Sequence, residues 1–390
     1  MSKIVFFCIP AHGHTNPTLG VVRELISRGH EVFYYSYNVM REKIETTGAT
    51  FISCDEYDQE QRLDEKDAVR VGKDLAFSTQ ILVDTTLALD DVVCEHMKEL
   101  KPDCIVADSM AIWGKAVALK FGIPFVSSTT TFAFNQYSAK IMKQSTGQIF
   151  SMIFSMSKIN KSIKRLQDKA YPVKSVLDII QNDNNTDTIV YTSPEFQPYS
   201  ETFSDKYVFV GPSIRPVENV FEKKQDKLIY ISMGTVINDS VDFYKKCIKA
   251  LADTEYQVII SVGNVINIEE LGTIPDNITI SRFVDQIAVL NQADVFLTHC
   301  GMNSVNESLY YKVPLVMFPQ TSEQEGVAIR VEQLGAGVRL KHINAKSIKK
   351  TIENVLNTKS YYEQATKISL GFHKCTGAKG AADKIEQMCK

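Results

Sequence analysis

Residues 3–36 read KIVFFCIPAHGHTNPTLGVVRELISRGHEVFYYS and determine the fold class of this chain. Ile4–Ile9 is an almost uninterrupted apolar run, which is typical of a parallel strand covered on both faces. Apolar side chains then recur at helical spacing until Gly29, and Val32–Ser36 supplies a second strand. The opening of the chain therefore predicts a strand, a helix and a parallel strand.

The same alternation of apolar runs and helical patterns continues in two series along the chain. The further runs of the first series are Cys104–Ala107, Pro124–Ser127, Thr188–Thr192 and Tyr207–Val210, and those of the second are Leu228–Ser232, Val258–Val262, Ile278–Ile280, Val295–Thr298 and Leu315–Phe318. A stretch rich in proline and charge, 213–227, predicts an interdomain linker. We expect an α/β fold with two doubly wound, Rossmann-like domains, over 1–212 and 228–370, that face each other across a cleft. A last helix, 371–390, is expected to pack back on the N-terminal domain.

The composition is that of a folded protein without a marked charge bias. Of 390 residues, 44% are hydrophobic and 23% charged, and 43 basic against 46 acidic side chains give a net charge of −3. This balance argues against a disordered chain, and neither nucleic acid nor stable membrane insertion is expected. The first apolar run leads into histidines and lacks a cleavage site, so it predicts a strand and no signal peptide. Eight cysteines without a Cys-x-x-Cys pair predict no zinc cluster or disulfide framework, and a cytoplasmic location is expected.

Ligands of doubly wound sheets bind beyond the carboxyl ends of the strands, so the residues after each run are the candidates for a site. His12 and His14 follow the first run, on a predicted loop at 10–16 ahead of a helix that begins at Asn16-Pro17. This loop has one glycine, so the three-glycine fingerprint of a nicotinamide or flavin site is missing. An imidazole here can act as a general base or can simply bond loop backbone. Asp108, which ends its own run, can hold that imidazole or cap the next helix.

The densest polar pattern is THCGMNSVNE at 298–307. It follows a predicted strand, and a helix is predicted to begin near Ser304. A helix start of this kind is an anion site, and His299 and the Ser304 hydroxyl add donors suited to a diphosphate. Glu307 has two interpretations that the sequence leaves open. It can complete a capping box with Ser304, or it can accept the hydroxyl groups of a ribose.

Two further strand ends support a nucleotide site. Ser232, Gly234 and Thr235 place hydroxyl groups and a glycine where phosphate oxygens can bind, and 319–324 collects amide and carboxylate groups suited to sugar hydroxyls. The 390 residues contain no Asp-x-Asp, the usual carboxylate pair for a divalent cation. We therefore expect a helix dipole and hydrogen-bond donors to balance the charge of a leaving diphosphate.

These motifs resemble those of the UDP-glycosyltransferase superfamily, most of all its bacterial macrolide and natural-product glucosyltransferases. The resemblance rests on His14-Thr15-Asn16-Pro17, on Asp108 and on the block FVDQIAVLNQADVFLTHCGMNSVNESLYYKVPLVMFPQTSEQ at 283–324, which covers most of the family's donor signature. It implies the two-domain GT-B fold over the whole chain. It also implies a nucleotide-sugar donor as co-substrate, with no other cofactor and no metal.

The resemblance implies a role for each matching residue. His14 is the base that deprotonates the acceptor hydroxyl, and Asp108 is its charge-balancing partner. Contacts to the diphosphate are assigned to Ser232, Gly234, Thr235, His299, Gly301, Asn303 and Ser304, and contacts to the base and ribose to Phe283, Val284, Gln286 and Glu307. Glu323 and Gln324 are assigned to the donor sugar. An acceptor pocket is assigned to His12, Trp113, Phe132, Phe150 and Phe154.

One segment, 283–286, departs from the family pattern. The family usually shows Trp-x-Pro-Gln where this chain has Phe283-Val284-Asp285-Gln286. Phenylalanine can also stack on a base, with a smaller face, so uracil is expected and thymine stays open.

Residues 140–174 carry eight Lys or Arg and one acidic residue among apolar side chains. Such a stretch can lie on a membrane surface, but we favour the alternative that it forms one wall of an apolar acceptor pocket.

Together these patterns predict an inverting, metal-independent transferase that moves a hexose, expected to be glucose, from UDP to a hydroxyl of a small hydrophobic acceptor such as a macrolide or a phenol. Two alternatives remain at this point. A sugar-nucleotide epimerase or hydrolase on the same scaffold would turn over the donor without an acceptor, and a two-domain binding protein would not turn it over at all. The identity of the acceptor and the oligomeric state stay open.

Overall fold

The computed structural model describes residues 1–55, 74–138, 146–175, 178, 184–217, 219–234 and 240–389, without the side chains of residue 75 and of residues 146–155. The chain forms two compact units. The first comprises Met1–Ser213 and Cys375–Lys390, and the second comprises Ile214–Lys374.

Strands and helices alternate along most of the described chain. The strands are β1 (Lys3–Phe7), β2 (Glu31–Ser36), β3 (Thr50–Ser53), β4 (Cys104–Asp108), β5 (Phe125–Thr129), β6 (Thr188–Val190), β7 (Tyr207–Phe209), β8 (Leu228–Ser232), β9 (Gln257–Ser261), β10 (Ile278–Ser281), β11 (Val295–Thr298), β12 (Leu315–Met317) and β13 (Gly337–Arg339). The helices are α1 (His12–Ser27), α2 (Arg41–Glu45), α3 (Leu75–Leu100), α4 (Ile112–Phe121), α5 (Thr146–Asp168), α6 (Val241–Leu251), α7 (Gln286–Leu290), α8 (Met302–Tyr310), α9 (Ser322–Gln333), α10 (Ala345–Asn357), α11 (Lys359–Lys374) and α12 (Gly377–Met388).

The first unit is built on a parallel sheet of seven strands in the order β3-β2-β1-β4-β5-β6-β7. Alternate side chains of β1 point to opposite faces, and each face is covered. Ile4 and Phe6 pack with the apolar stripe of α1 and with α12. Val5 and Phe7 pack with α3, α4 and α5 on the other face. This two-sided burial explains why β1 is an apolar run without polar alternation.

Helix α4 lies unusually close to the sheet because its third residue is a glycine. A Cβ atom on Gly114 would come within 2.5 Å of the Ala107 Cβ and within 2.9 Å of a Phe7 ring carbon. Any larger side chain would therefore push α4 away from β1 and β4. Because α4 follows directly after Asp108, this contact helps to fix the position of that carboxylate.

The second unit has a parallel sheet of six strands in the order β10-β9-β8-β11-β12-β13. One face packs against α6 and α10 through a continuous apolar core. On the other face, Tyr230 of β8 stacks on Phe296 of β11 with ring centroids 4.7 Å apart. Both sheets are doubly wound and parallel, so the predicted fold class is confirmed.

The boundaries of the units differ from the prediction in two places. Most of the predicted linker 213–227 belongs to the second unit, since Arg215 bonds Asp285, and Lys223 and Lys227 lie 2.6 and 3.3 Å from the Asp294 carboxylate. The predicted last helix at 371–390 is divided, because α11 continues to Lys374 and only α12 joins the first unit. There α12 packs on α1, β4, β5 and β7.

Two strands, β3 and β13, were not predicted, and both are short and weakly apolar. Among the described residues, no helix is long and apolar enough to cross a membrane.

Candidate functional site

The order of the strands places one candidate site in each unit. In the first sheet the chain moves outward from β1 in one direction and then starts again at β4 on its other side. In the second sheet β8 and β11 have the same relationship. Such reversal points leave a crevice beyond the carboxyl ends of the two central strands, where ligands of doubly wound sheets bind. His14 and Asp108 follow β1 and β4, and the glycine-containing segments at 232–234 and 298–301 follow β8 and β11.

Helix α1 begins earlier than predicted. Its first residue is His12, with Ala11 as N-cap, so the predicted loop 10–16 and the predicted start at Asn16-Pro17 are wrong. The Ala11 carbonyl accepts from the amides of His14 and Thr15, at 3.0 and 2.9 Å, and closes the first turn. Pro17 lies inside the helix, where its missing N–H costs one hydrogen bond near the start. His14 is therefore held by a helical turn.

His14 is bonded to groups from the ends of two neighbouring strands. Its Nδ1 lies 2.8 Å from Oδ2 of Asp108, which ends β4, and 3.1 Å from Oγ1 of Thr130, which follows β5. The Asp108 side chain is inaccessible to solvent, whereas 19% of the His14 side chain is exposed. Because a carboxylate only accepts hydrogen bonds, Nδ1 donates and Nε2 keeps its lone pair. This is the tautomer that a general base requires.

Asp108 holds His14 and does not cap α4, whose N-cap is Ala111 without a side-chain bond. Oδ1 accepts from the Met110 amide at 2.9 Å, as an Asx turn ahead of α4 does. The other oxygen, Oδ2, faces His14. The turn fixes the direction of the carboxylate, and the carboxylate in turn orients the imidazole.

In the second unit, the His299 ring is packed against two glycines. A Cβ atom on Gly234 would come within 2.7 Å of the ring, and one on Gly301 within 2.6 Å of Nε2. Gly234 also has a φ of +81°, which disfavours any other residue. Burial lowers the pKa of His299 to about 4, although a hydrogen bond to the Ser232 backbone acts to raise it. The imidazole is therefore neutral at pH 7 and can serve as a hydrogen-bond donor without charge.

Helix α8 begins at Met302, with Gly301 as N-cap and no side-chain cap. The prediction of a start near Ser304 is therefore wrong. Ser304 is the third residue of the helix and Glu307 the sixth, so the two cannot form a capping box. Asn303 and Ser304 lie in the first turn, where backbone amides and the helix dipole favour an anion.

Glu307 belongs to a hydrogen-bonded network that leads into the core. The Gln286 Nε2 donates to Glu307 Oε2 at 2.5 Å and to Ser304 Oγ at 3.3 Å. The Gln286 Oε1 accepts from the Tyr230 hydroxyl at 3.1 Å. Burial raises the pKa of Glu307 to about 7, although the Gln286 bond and the charge of Arg215 act to lower it. With its pKa near 7, this carboxyl group is ionised more fully when a ligand donates hydrogen bonds to it.

The segment before α7 presents an exposed aromatic ring. Phe283 is 58% exposed, and Val284 beside it is partly buried. Asp285 takes the family's proline position and is the N-cap of α7, accepting from the Ala288 amide at 3.2 Å. Its carboxylate also accepts from Arg215 and, at 3.0 Å, from Asn219. Asp285, which replaces the family's proline, thus caps α7. The Phe283 ring stays largely exposed to solvent.

A capping box does occur in this unit, at the start of α9. The Thr321 hydroxyl accepts from the Gln324 amide, and Gln324 Oε1 accepts from the Thr321 and Gln320 amides at 3.2 and 2.7 Å. The side-chain oxygen of Gln324 is therefore occupied by its own helix, and its NH₂ group is the part suited to a sugar. Glu323 is exposed in the first turn.

The residues predicted for an acceptor pocket lie in different environments. Trp113, on α4, is buried in the core that this helix shares with α3, and Phe132 is buried against Phe196, with ring centroids 5.5 Å apart. His12 is exposed, with Nδ1 3.3 Å from Lys43 Nζ. Phe150 and Phe154 lie in the part of α5 whose side chains are outside the described structure, and Thr235 also lies outside the described residues. The acceptor pocket stays a prediction.

Sequence reasoning missed three residues of these networks. Thr130 follows a strand adjacent to β4, and the strand-end rule that found Asp108 would have found it. Asp285 stands three residues before Ala288 at a helix start, which is an N-cap signal. Tyr230 lies within an apolar strand, and nothing in the local pattern indicates its partner.

Comparison with known proteins shows the family to which this chain is related. Residues 216–378 match the sequence profile described as "UDP-glucoronosyl and UDP-glucosyl transferase". The chain is 33% identical to the uncharacterized UDP-glucosyltransferase YojK of Bacillus subtilis, over 100% of this chain and 98% of that protein. It is 33% identical to the NDP-glycosyltransferase YjiC of Bacillus licheniformis, over 98% and 96%. Among solved structures, CalG4, the calicheamicin glycosyltransferase, superposes with a TM-score of 0.83 at 25% identity, over 100% and 98%.

Proposed function

Because the chain belongs to the UDP-glycosyltransferase family and has its GT-B fold, we propose that it transfers a hexose, glucose in the first instance, from UDP to a hydroxyl group of a small hydrophobic acceptor. The enzyme is a glycosyltransferase that uses a nucleotide-sugar donor and an acceptor. The choice of sugar, the stereochemistry and the class of acceptor are the proposed parts. The macrolide and phenolic compounds expected from the sequence are members of this proposed acceptor class.

The observation that carries the proposal is the bond between His14 and Asp108. With Nδ1 donating to Asp108 at 2.8 Å, Nε2 is the basic atom and can take the proton of an acceptor hydroxyl. The oxygen then attacks the anomeric carbon as the bond to the diphosphate breaks. A single displacement inverts the configuration, so an α-linked donor gives a β-glycoside. Asp108 stabilises the imidazolium that forms.

The proposed donor site lies at the ends of β8 and β11. The diphosphate is assigned to the first turn of α8, to the neutral His299 and to Ser232, with Gly234 and Gly301 leaving room for the His299 ring. The helix dipole and the hydrogen-bond donors balance the charge of the leaving UDP, so catalysis without a divalent metal is part of the proposal. Phe283 is assigned to the base, and Glu307, held by Gln286, to the ribose hydroxyls.

The test is to incubate the purified chain with UDP-glucose and a panel of phenolic and macrolide acceptors, and to detect the products by mass spectrometry. We expect an acceptor-dependent glucoside with β configuration by NMR coupling constants. Release of free glucose or an epimerised donor at the same rate without an acceptor would favour the hydrolase or epimerase instead. Binding of UDP with no turnover against any acceptor would favour a binding protein.

The matched control is His342→Ala, which removes an exposed histidine of the second unit. This variant should keep full activity, whereas His14→Ala should not. A product of α configuration would contradict the single displacement while leaving glycosyl transfer itself intact.

A further inference from the structure

The network below Glu307 contains a residue that does not reach the surface of the proposed nucleotide site. Tyr230, in the middle of β8, is 1% exposed, and its ring stacks on Phe296. Its hydroxyl donates to the Gln286 side-chain oxygen at 3.1 Å, and the side chains of Ser232 and Ser261 lie near it. A buried tyrosine hydroxyl needs such partners, since burial without them costs free energy.

The chemistry of the network determines which way the Gln286 amide is turned. A carboxylate oxygen accepts hydrogen bonds and cannot donate them, so the amide must present its NH₂ group to Glu307. Its carbonyl oxygen then faces the opposite way, toward the Tyr230 hydroxyl, which donates to it. The amide thus has one donor group on Glu307 and one acceptor on Tyr230, and rotation by 180° would lose both bonds.

We propose that Tyr230 is a positioning residue for the nucleotide site, which orients the Gln286 amide so that this amide holds the Glu307 carboxylate ready for the ribose hydroxyls. This inference rests on the proposed function, since it takes the ribose as the ligand of Glu307. Tyr230 touches no substrate and acts through two side chains. Loss of the Tyr230 hydroxyl should therefore weaken the affinity for the nucleotide without changing the rate of the transfer step.

The experiment compares Tyr230→Phe with the wild type. This substitution keeps the ring and its stacking and removes only the hydroxyl. We expect the Kd for UDP to rise about threefold to tenfold, as the loss of one hydrogen bond predicts. We expect kcat at saturating donor to stay within about twofold of the wild type, while the KM for the donor rises with the Kd.

Tyr34→Phe is the matched control. Tyr34 is also a buried tyrosine of a central sheet, but it lies in the first unit, where its hydroxyl is 2.7 Å from the Thr18 hydroxyl. Its loss should leave the Kd for UDP unchanged. If both variants weaken UDP binding to the same extent, the effect is a general loss of packing and the inference is wrong.

A double-mutant cycle with Gln286→Leu tests the route of the effect. If Tyr230 acts through Gln286, Tyr230→Phe has no further effect on UDP binding once Gln286 is leucine. A full additional loss in that background, or a Tyr230→Phe variant that binds UDP as the wild type does, overturns the inference. If Tyr230→Phe melts far below the wild type, the Kd for UDP of every variant in the cycle is measured by calorimetry at a temperature where all of them are folded. Failure of the wild type to bind UDP would count against the proposed function instead.

Discussion

Replacing Glu307 with glutamine should make the protein more stable and its nucleotide site weaker. The side chain keeps its size, and its amide oxygen can still accept from Gln286, so only the charge is removed. Glu307 has an ordinary pKa of 4.5 that the folded protein raises to about 7, chiefly through burial. The folded state therefore binds this proton more tightly than the unfolded state does.

The sign and size of the stability effect follow from that difference in pKa. A carboxyl group whose pKa is raised on folding lowers stability as the pH increases, beginning near 4.5 and ending near 7. Each pKa unit corresponds to about 1.4 kcal/mol, so the wild type loses about 3 kcal/mol over this interval. Glu307→Gln does not titrate and should escape the loss. We expect a higher Tm at pH 8, by roughly 6–12 °C for a domain of this size, and no gain at pH 4.5.

The effect on the nucleotide should have the opposite sign. An ionised carboxylate accepts hydrogen bonds from ribose hydroxyls about twice as strongly as an amide oxygen does. Its loss should cost about 1–3 kcal/mol, or roughly tenfold to a hundredfold in the Kd for UDP at pH 8. At pH 5.5, where Glu307 of the wild type is itself protonated, the two proteins should bind UDP more alike.

The assay is thermal unfolding and isothermal titration calorimetry with UDP, both at pH 5.5 and pH 8. Glu353→Gln, which removes a carboxylate on α10, is the control and should change neither quantity. An unchanged Kd for UDP at pH 8 would refute the ribose role. A lower Tm at pH 8 would refute the argument that burial of this charge destabilises the fold.

Three further predictions concern the base and the leaving group. His14→Ala should lower kcat roughly 10²- to 10⁴-fold and leave the Kd for UDP unchanged, because the imidazole is lost from the acceptor side only; initial rates and calorimetry on the same preparation check this. Asp108→Asn can keep the Met110 bond and turn its NH₂ group toward His14, which forces the wrong tautomer. We therefore expect kcat to fall by a similar factor while the Tm stays near that of the wild type. A normal rate would leave Asp108 with only its structural bond to Met110. Transfer to a good acceptor should proceed at its full rate in excess EDTA, and a requirement for added Mg²⁺ or Mn²⁺ would show that the diphosphate site needs more than the helix dipole and neutral donors.

The sequence by itself determined the fold class and the position of most candidate residues. Apolar runs that alternate with helical patterns form parallel sheets with both faces covered, and the polar residues after each run then lie at the carboxyl edge of the sheet. His14, Asp108, His299 and Glu307 were found in this way, because their position is a property of the local pattern. The resemblance to the family depended on the same strand ends.

Tertiary structure decided which of these residues touch and which of two local roles each one has. Ser304-x-x-Glu307 and Thr321-x-x-Gln324 both fit a capping box, and only the second forms one, because α8 starts two residues earlier than its polar pattern indicates. Asp108 accepts from the Met110 amide with one oxygen and holds His14 with the other, across 94 residues of chain. Tyr230 contacts Gln286 only because β8 pairs with β11, the strand that follows α7. Local patterns determine at which strand or helix end a residue lies. Its hydrogen-bond partner depends on the packing of segments that are distant in sequence.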